Sequence, residues 1–121
     1  MKKLLILPLI ITTSILLQAS DDIESLAEMK CGSCHLIGKV TKEKLNRMAA
    51  PPSWALAKKI KVAYPNRLDG IDFIINYTLN PTEDKMLFPK ETKERFGLMP
   101  SQKGALTDAE LKAIAEYILD N

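Results

Sequence analysis

The sequence predicts an all-α domain of about four helices and no sheet. Apolar residues recur at helical spacing in several segments. The last of these follows Thr107-Asp108-Ala109-Glu110, in which a hydroxyl and a carboxylate can each cap a free backbone amide. No segment of the 121 residues alternates apolar and polar side chains as a half-buried strand does. The expected architecture is therefore helix packed on helix around one core.

The N-terminus has the order of a secretory signal peptide. Two lysines precede an apolar run over residues 4–17, and small residues then lead into two aspartates. Cleavage after Ala19 or Ser20 gives a signal peptide at residues 1–20 and one domain at residues 21–121. The apolar run is shorter than the ~20 residues of a membrane span. Export to the periplasm is the expected localisation. The alternative is a membrane anchor formed by an uncleaved N-terminus, because the residues before the cleavage point match the signal pattern imperfectly.

The first predicted helix spans residues 21–30. It opens with two aspartates, whose negative charge suits the positive end of a helix. Its apolar face is expected to hold Ile23, Leu26 and Ala27, which fall at helical spacing. Residues 36–50 follow as a polar, lysine-rich loop with one helical turn.

The middle of the chain predicts two more helices. The second helix, residues 54–62, starts behind Pro51 and Pro52, since proline suits the beginning of a helix. The third helix, residues 69–79, has Asp69 as its expected N-cap. One face of it carries Ile71, Ile74, Ile75 and Thr78.

The C-terminal third contains the clearest helix. Residues 82–94 are interrupted by Pro89 and are expected to be irregular, with a helical turn at each end. Residues 96–100 are expected to be extended and turn-like. The last helix begins at Thr107, and its core face is predicted to be Leu111, Ile114, Ala115, Ile118 and Leu119.

The pentapeptide Cys31-Gly32-Ser33-Cys34-His35 carries the chemistry of the chain. C-x-x-C-H is the attachment signature of a c-type haem, in which the two thiols form thioethers and the histidine reaches the iron. The chain has two cysteines and one histidine in all, and every one lies here. A structural zinc site needs about four such ligands, and a thioredoxin-like C-x-x-C follows a strand. A plain disulfide would not call for His35. The sequence therefore predicts one covalent haem c, with Cys31 and Cys34 as anchors and His35 as an axial iron ligand.

The second axial ligand cannot be histidine. Methionine is the soft ligand that favours ferrous iron, and residues 21–121 contain Met29, Met48, Met86 and Met99. Met29 is too close to Cys31 to reach the opposite haem face, and Met48 lies in the polar loop. Met99 is preferred because Gly97 and Pro100 hold it in non-helical backbone before the last helix. Met86 is the alternative.

At this point the chain resembles the small class I bacterial cytochromes c, of the c551/c552 and cytochrome c8 kind. The resemblance rests on C-G-S-C-H at 31–35, P-P-S-W at 51–54, and G-L-M-P at 97–100 before the last helix. It implies a one-haem fold, closed by a methionine loop, in which the N-terminal and C-terminal helices cross beside the haem. It also implies a proline carbonyl that accepts a hydrogen bond from the proximal imidazole. Pro52 is the first candidate for this role and Pro51 the alternative, with Trp54 as the family's aromatic residue.

Further haem contacts follow from residue type. Trp54, Arg47 and Arg67 are candidates for holding a haem propionate, with ordinary packing or solvation as the competing interpretation. Phe73 and Tyr77 are expected to line the haem or to pack in the core.

Charge and cofactor together indicate the class of function. The chain has 17 Lys+Arg and 15 Asp+Glu. Without Lys2 and Lys3 the domain is neutral, so it lacks the basic surface of a nucleic-acid binder. A haem with both axial positions filled leaves no site for a small-molecule substrate, which predicts a monomeric electron carrier for respiratory redox proteins rather than an enzyme. Lysines that could steer an acidic partner, or that are simply solvated, are Lys39, Lys42, Lys44, Lys58, Lys59 and Lys103.

Two alternatives stay open for the function. One is a haem c subunit of a larger periplasmic oxidoreductase. The other is a five-coordinate haem enzyme or ligand-binding protein, which would follow if Met99 does not bind iron.

Overall fold

The structure is a computed structural model that describes the backbone of residues 15–121 and the side chains from Asp22 onward. Within this part it contains only helices and no strand, which confirms the all-helical prediction. The α-helices are α1 (Ile15–Cys31), α2 (Lys42–Arg47), α3 (Ser53–Ala63), α4 (Arg67–Leu79), α5 (Lys90–Phe96) and α6 (Asp108–Asp120), with a 3-10 turn at Glu83–Lys85. The four long helices are the four predicted ones. The two short helices occupy segments for which the sequence predicts single helical turns.

The predicted signal peptide falls mainly outside the described residues, which begin at Ile15. Helix α1 is already formed there, so it is longer than the predicted helix over residues 21–30. Among the described residues, no helix combines the length and the apolar character that a membrane crossing requires.

Helix α6 is the centre of the core. It packs against α1, α3 and α4, and its capping box is present, with the Thr107 hydroxyl accepting from the Glu110 amide and the Glu110 carboxylate accepting from the Thr107 amide. The predicted core face of α6 is confirmed, because all five of its residues are buried: Leu111, Ile114, Ala115, Ile118 and Leu119. An apolar stripe of this width lets α6 pack against three neighbouring helices at once.

The first and last helices pack against each other. Ala27 of α1 and Ala115 of α6 are both fully buried in the same core cluster, and small side chains at a contact let two helix axes approach closely. Ile23 and Leu26, the other members of the predicted α1 face, are half-buried. The Tyr117 hydroxyl donates to Glu24 Oε2 over 2.8 Å at the edge of this contact.

The predicted polar loop is wrong at two positions. Leu36 and Ile37 are only 1% and 0% exposed and belong to the most buried side chains of the described chain. Ile37 belongs to the same core cluster as residues of α1, α3, α4 and α6, and the Lys44 ammonium donates to its carbonyl over 2.8 Å. Burial of this pair anchors the segment that follows His35 to the core.

The predicted start of α4 is also wrong. Its N-cap is Asn66, whose Oδ1 accepts from the amides of Leu68 and Asp69, and not Asp69 itself. Asn66 is as good a cap as aspartate, and starting there places Gly70 inside the helix. A Cβ at Gly70 would lie 3.1 Å from a Leu119 methyl carbon, so glycine permits close packing of α4 on α6.

The bond between Tyr117 and Glu24 predicts a pH-dependent stability. Burial, together with the Glu24 hydrogen bond and charge, raises the pKa of Tyr117 to about 12. Because the raised pKa belongs to the folded state, the stabilising contribution is complete below the ordinary tyrosine pKa of ~10 and is lost as the pH rises through about 12. We expect Tyr117→Phe to lose less stability than the native protein over that window. Urea unfolding at several pH values measures this, with Tyr64→Phe as the control, and equal pH slopes in the native protein and Tyr117→Phe would contradict it.

Candidate haem-binding site

A cavity of about 330 Å³ lies beside the core. Its wall is built from the end of α1, the loop that follows it, and the inner faces of α3, α4, α5 and α6. Cys31, Cys34 and His35 line one part of it, and residues 96–100 line another. The remaining lining is mostly apolar, so the cavity can bury a flat apolar group beside three residues of defined chemistry.

The two cysteines reach this cavity because α1 ends in a tight turn. The amides of Cys34 and His35 both donate to the Cys31 carbonyl, over 3.2 and 2.9 Å. Gly32 is required at the turn, since a Cβ there would lie 2.3 Å from the Glu28 carbonyl oxygen. Both thiols are half-buried and no disulfide joins them. Burial raises the pKa of the Cys31 thiol, and the neighbouring Cys34 adds to this.

His35 is held by a backbone carbonyl. Its Nδ1 lies 2.6 Å from the Pro51 oxygen. A carbonyl can only accept, so Nδ1 carries the proton and Nε2 has its lone pair free for a metal. Burial lowers the pKa of His35, against the opposing effect of the Pro51 hydrogen bond. The neutral imidazole that metal binding requires is therefore the favoured form.

The acceptor is thus Pro51, the alternative, and the preference for Pro52 is wrong. Pro52 is the N-cap of α3, and its carbonyl accepts from the amides of Ala55 and Leu56. The loop before it is tied to the pentapeptide by two more bonds, since Ala49 and Ala50 both donate to the Cys34 carbonyl over 2.9 and 3.1 Å. Backbone bonds therefore set the position of Pro51 relative to His35.

Two methionines, Met86 and Met99, line the cavity. Met29 does not line it and is 75% exposed, and Met48 is also absent from its wall. Both side chains that the sequence singles out for the second axial position are therefore at the cavity, and the structure brings Met99 to the same cavity as His35.

The loop that carries Met99 is fastened to the end of α4. The Ser101 hydroxyl donates to the Leu79 carbonyl over 2.6 Å, and the Gln102 amide donates to the Thr78 carbonyl over 3.0 Å. These are carbonyls that the last turn of a helix leaves free. On the other side of Met99, Gly97 ends α5 with a φ of 76°, a conformation that favours glycine.

This fastening predicts the effect of Ser101→Ala. Removing one hydrogen bond of this kind costs about 1 kcal/mol, and the loss falls on the Met99 loop. We expect a lower free energy of unfolding and, in the haem-loaded protein, easier displacement of Met99 by added imidazole, measured by absorbance. Ser25→Ala, at an exposed position of α1, is the matched control. Unchanged imidazole affinity in Ser101→Ala would show that the bond does not hold the loop.

Several predicted haem contacts lie elsewhere. Trp54 is 57% exposed and does not line the cavity. Arg47 is paired with Glu28 and Glu43, while Arg67 is paired with Asp120. None of the three is placed to hold a propionate in this cavity, because the first faces solvent and the two guanidinium groups are committed to carboxylates.

Other lining residues match the prediction or were missed by it. Phe73 and Tyr77 line the cavity, and burial raises the pKa of the Tyr77 hydroxyl. The apolar residues that sequence reasoning did not single out include Leu56, Ile60, Leu87, Phe88, Phe96 and Leu106. They come from separate elements. Helical periodicity in α3 could have predicted only Leu56 and Ile60, which are four residues apart.

The donor set fits a covalently bound haem. Two half-buried free thiols line the cavity, a neutral imidazole is oriented by a carbonyl, and thioether and apolar side chains complete the wall. From Asp22 onward, no group of three or more His, Cys, Asp and Glu side chains is arranged to hold a bare metal ion. The fold and the site together define a c-type cytochrome.

Comparison with known proteins agrees with this class. A family model described as cytochrome c oxidase, cbb3-type, subunit III matches residues 18–118. The chain belongs to this family. It is therefore a cytochrome c domain with covalent haem c, an electron-carrier module.

A curated relative of this chain has no function in its name. An uncharacterized protein of Aquifex aeolicus (strain VF5) is 29% identical over 103 residues, covering 75% of this chain and 67% of that protein. No solved structure matches the chain.

Proposed function

We propose that this protein is a periplasmic monohaem cytochrome c that passes single electrons between respiratory redox proteins. The observation that carries the proposal is that His35 and Met99 line the same apolar cavity as the two thiols of the C-x-x-C-H segment. Two protein ligands of this kind complete the coordination of haem iron and leave no position open for a substrate.

Each residue of the site has a separate role in holding the haem. Cys31 and Cys34 would hold the haem as thioethers, and His35 would bind through Nε2, because Pro51 keeps the proton on Nδ1. Met99 would supply the soft second ligand. The bound haem supplies a one-electron iron couple. The apolar walls keep water from the group, which favours the less charged ferrous form.

A second candidate function is favoured by the family description. The matching model is named for a subunit of an oxidase, and this name favours the alternative of a haem c subunit of a larger periplasmic oxidoreductase. An N-terminal membrane anchor, in place of a cleaved signal, suits this alternative. Size-exclusion chromatography of the haem-loaded protein distinguishes the two, because a free carrier elutes as a monomer and needs no partner for solubility.

The experiment that tests the proposal is the absorption spectrum of purified, haem-loaded protein in both redox states. A low-spin ferric spectrum with the weak long-wavelength band of an iron–methionine sulfur bond, and a reversible one-electron reduction, is the expected result. A high-spin ferric spectrum that binds added cyanide or carbon monoxide readily would replace the carrier by a five-coordinate haem enzyme or ligand-binding protein.

A further inference from the structure

A partly exposed apolar surface lies on the segment that holds His35. It consists of Ala49, Ala50, Pro51 and Trp54, and we refer to it as the proline–tryptophan surface. The two alanines and Pro51 also line the cavity, so the same short segment faces the cofactor site on one side and solvent on the other. Trp54 is the only tryptophan of the chain, and more than half of it is exposed.

This surface is bonded directly to the haem-binding pentapeptide. Pro51 accepts from the His35 imidazole, and the amides of Ala49 and Ala50 donate to the Cys34 carbonyl. A partner seated on the surface is therefore separated from the iron ligand and from one haem anchor by single hydrogen bonds.

The surface carries no charge of its own and has cations at its border. Residues 48–57 contain no charged side chain, and the chain has no carboxylate between Glu43 and Asp69. Lys58 follows Trp54 by one helical turn on the same face of α3. Lys59 lies beside it, with its ammonium 5.9 Å from the centre of the Phe88 ring that lines the cavity.

Lys58 and Lys59 of α3 are free to meet a partner, whereas Lys44 is not. In the part of the chain described from Asp22 onward, no ion pair involves Lys58 or Lys59. Lys44, which the sequence placed among the steering lysines, is bound to Glu28 Oε2 over 3.0 Å and to the Ile37 carbonyl. An apolar centre with an aromatic anchor and a charged border is the usual composition of a protein interface.

We propose that the proline–tryptophan surface is the docking site for a redox protein whose contact surface is apolar and bordered by carboxylates. This inference rests on the proposed function as an electron carrier. Trp54 supplies the apolar anchor, Lys58 and Lys59 select an acidic border, and the bonded segment 49–51 provides the short path for the electron.

The test uses the haem-loaded protein and a surface of defined chemistry in place of the partner. The probe is a gold electrode coated with a mixed monolayer of carboxylate- and methyl-terminated alkanethiols. Voltammetry measures the adsorption constant and the electron-exchange rate of the native protein, of Trp54→Ala and of Lys58→Glu. Leu68→Ala, a large exposed apolar residue of α4, and Lys112→Glu, an exposed lysine of α6, are the matched controls.

We expect Trp54→Ala to lower the adsorption constant about tenfold, as loss of an aromatic anchor does, and Lys58→Glu to lower it about threefold, at the scale of one exposed ion pair. The two controls stay within about twofold of the native protein. Trp54→Phe restores most of the loss, which also keeps the test valid if Trp54→Ala is poorly folded.

Two results would overturn the inference without touching the proposed function. One is a reversible couple in the native protein together with equal changes of the adsorption constant in the Trp54, Lys58 and control variants. The other is a larger loss of binding by Trp54→Ala to phosphatidylglycerol vesicles, measured by co-sedimentation, than to the monolayer. That result would assign the surface to a membrane. Absence of any reversible couple in the native protein would instead refute the electron-carrier function itself.

Discussion

Replacing Met99 with alanine is expected to convert the ferric haem from low-spin to high-spin and to abolish the long-wavelength iron–sulfur band. The reduction potential should fall by on the order of 100 mV, because a thioether ligand stabilises ferrous iron and axial ligation sets the potential of haem over a wide range. The structure supports a large effect, since Met99 lies at the cavity on a loop fastened to α4 by Ser101 and Gln102. Absorbance spectroscopy and a redox titration measure both changes.

Two matched substitutions make this result specific. Met86→Ala removes the other methionine of the cavity, and Met29→Ala removes an exposed methionine of α1. Both are expected to keep the low-spin spectrum and the band. If Met86→Ala loses the band and Met99→Ala keeps it, the second ligand is Met86 and the assignment of Met99 is wrong.

The double substitution Cys31→Ala/Cys34→Ala is expected to abolish covalent haem attachment and to leave the domain largely unfolded or molten. A domain of about 100 residues builds a modest core, and a group that binds only the folded state stabilises it by mass action. Here the cavity wall takes apolar side chains from α3, α4, α5 and α6, so all four helices lose packing contacts when the site is unfilled. Circular dichroism and a thermal melt provide the measurement.

Ser33→Ala is the control, because it changes the same loop and spares both anchors. It should retain the covalent haem and a cooperative melt. Native-like helicity and a cooperative transition in the double cysteine variant would show that the protein part folds without its cofactor.

The haem attachment site was predictable because its chemistry is local in the chain. Two thiols and an imidazole within five residues are the attachment signature of a covalent haem. The core face of α6 was predictable for a related reason, since helical periodicity reports which side of a helix is buried. Both signals are carried by residues a few positions apart.

The errors have a common physical origin. Leu36 and Ile37 are two apolar residues in a polar segment, and they are buried by the assembled core, where Ile37 joins a cluster of residues from α1, α3, α4 and α6. Asn66 and Asp69 are both good helix caps, so residue type alone does not choose between them, and in the structure Asn66 caps α4. Neither outcome follows from the residues on either side along the chain.

The sequence by itself determined that this chain is helical, that it carries one C-x-x-C-H segment with His35 as its only histidine, and that a methionine is available as a second ligand. These follow from residue type and spacing along one chain. Only the tertiary structure decided that Pro51 and not Pro52 meets His35, that Arg47 and Arg67 are committed to carboxylates, and that Trp54 faces solvent outside the cavity wall. The reason is that each depends on where separate elements come to rest, which is set by packing of the whole core rather than by the neighbours of any one residue.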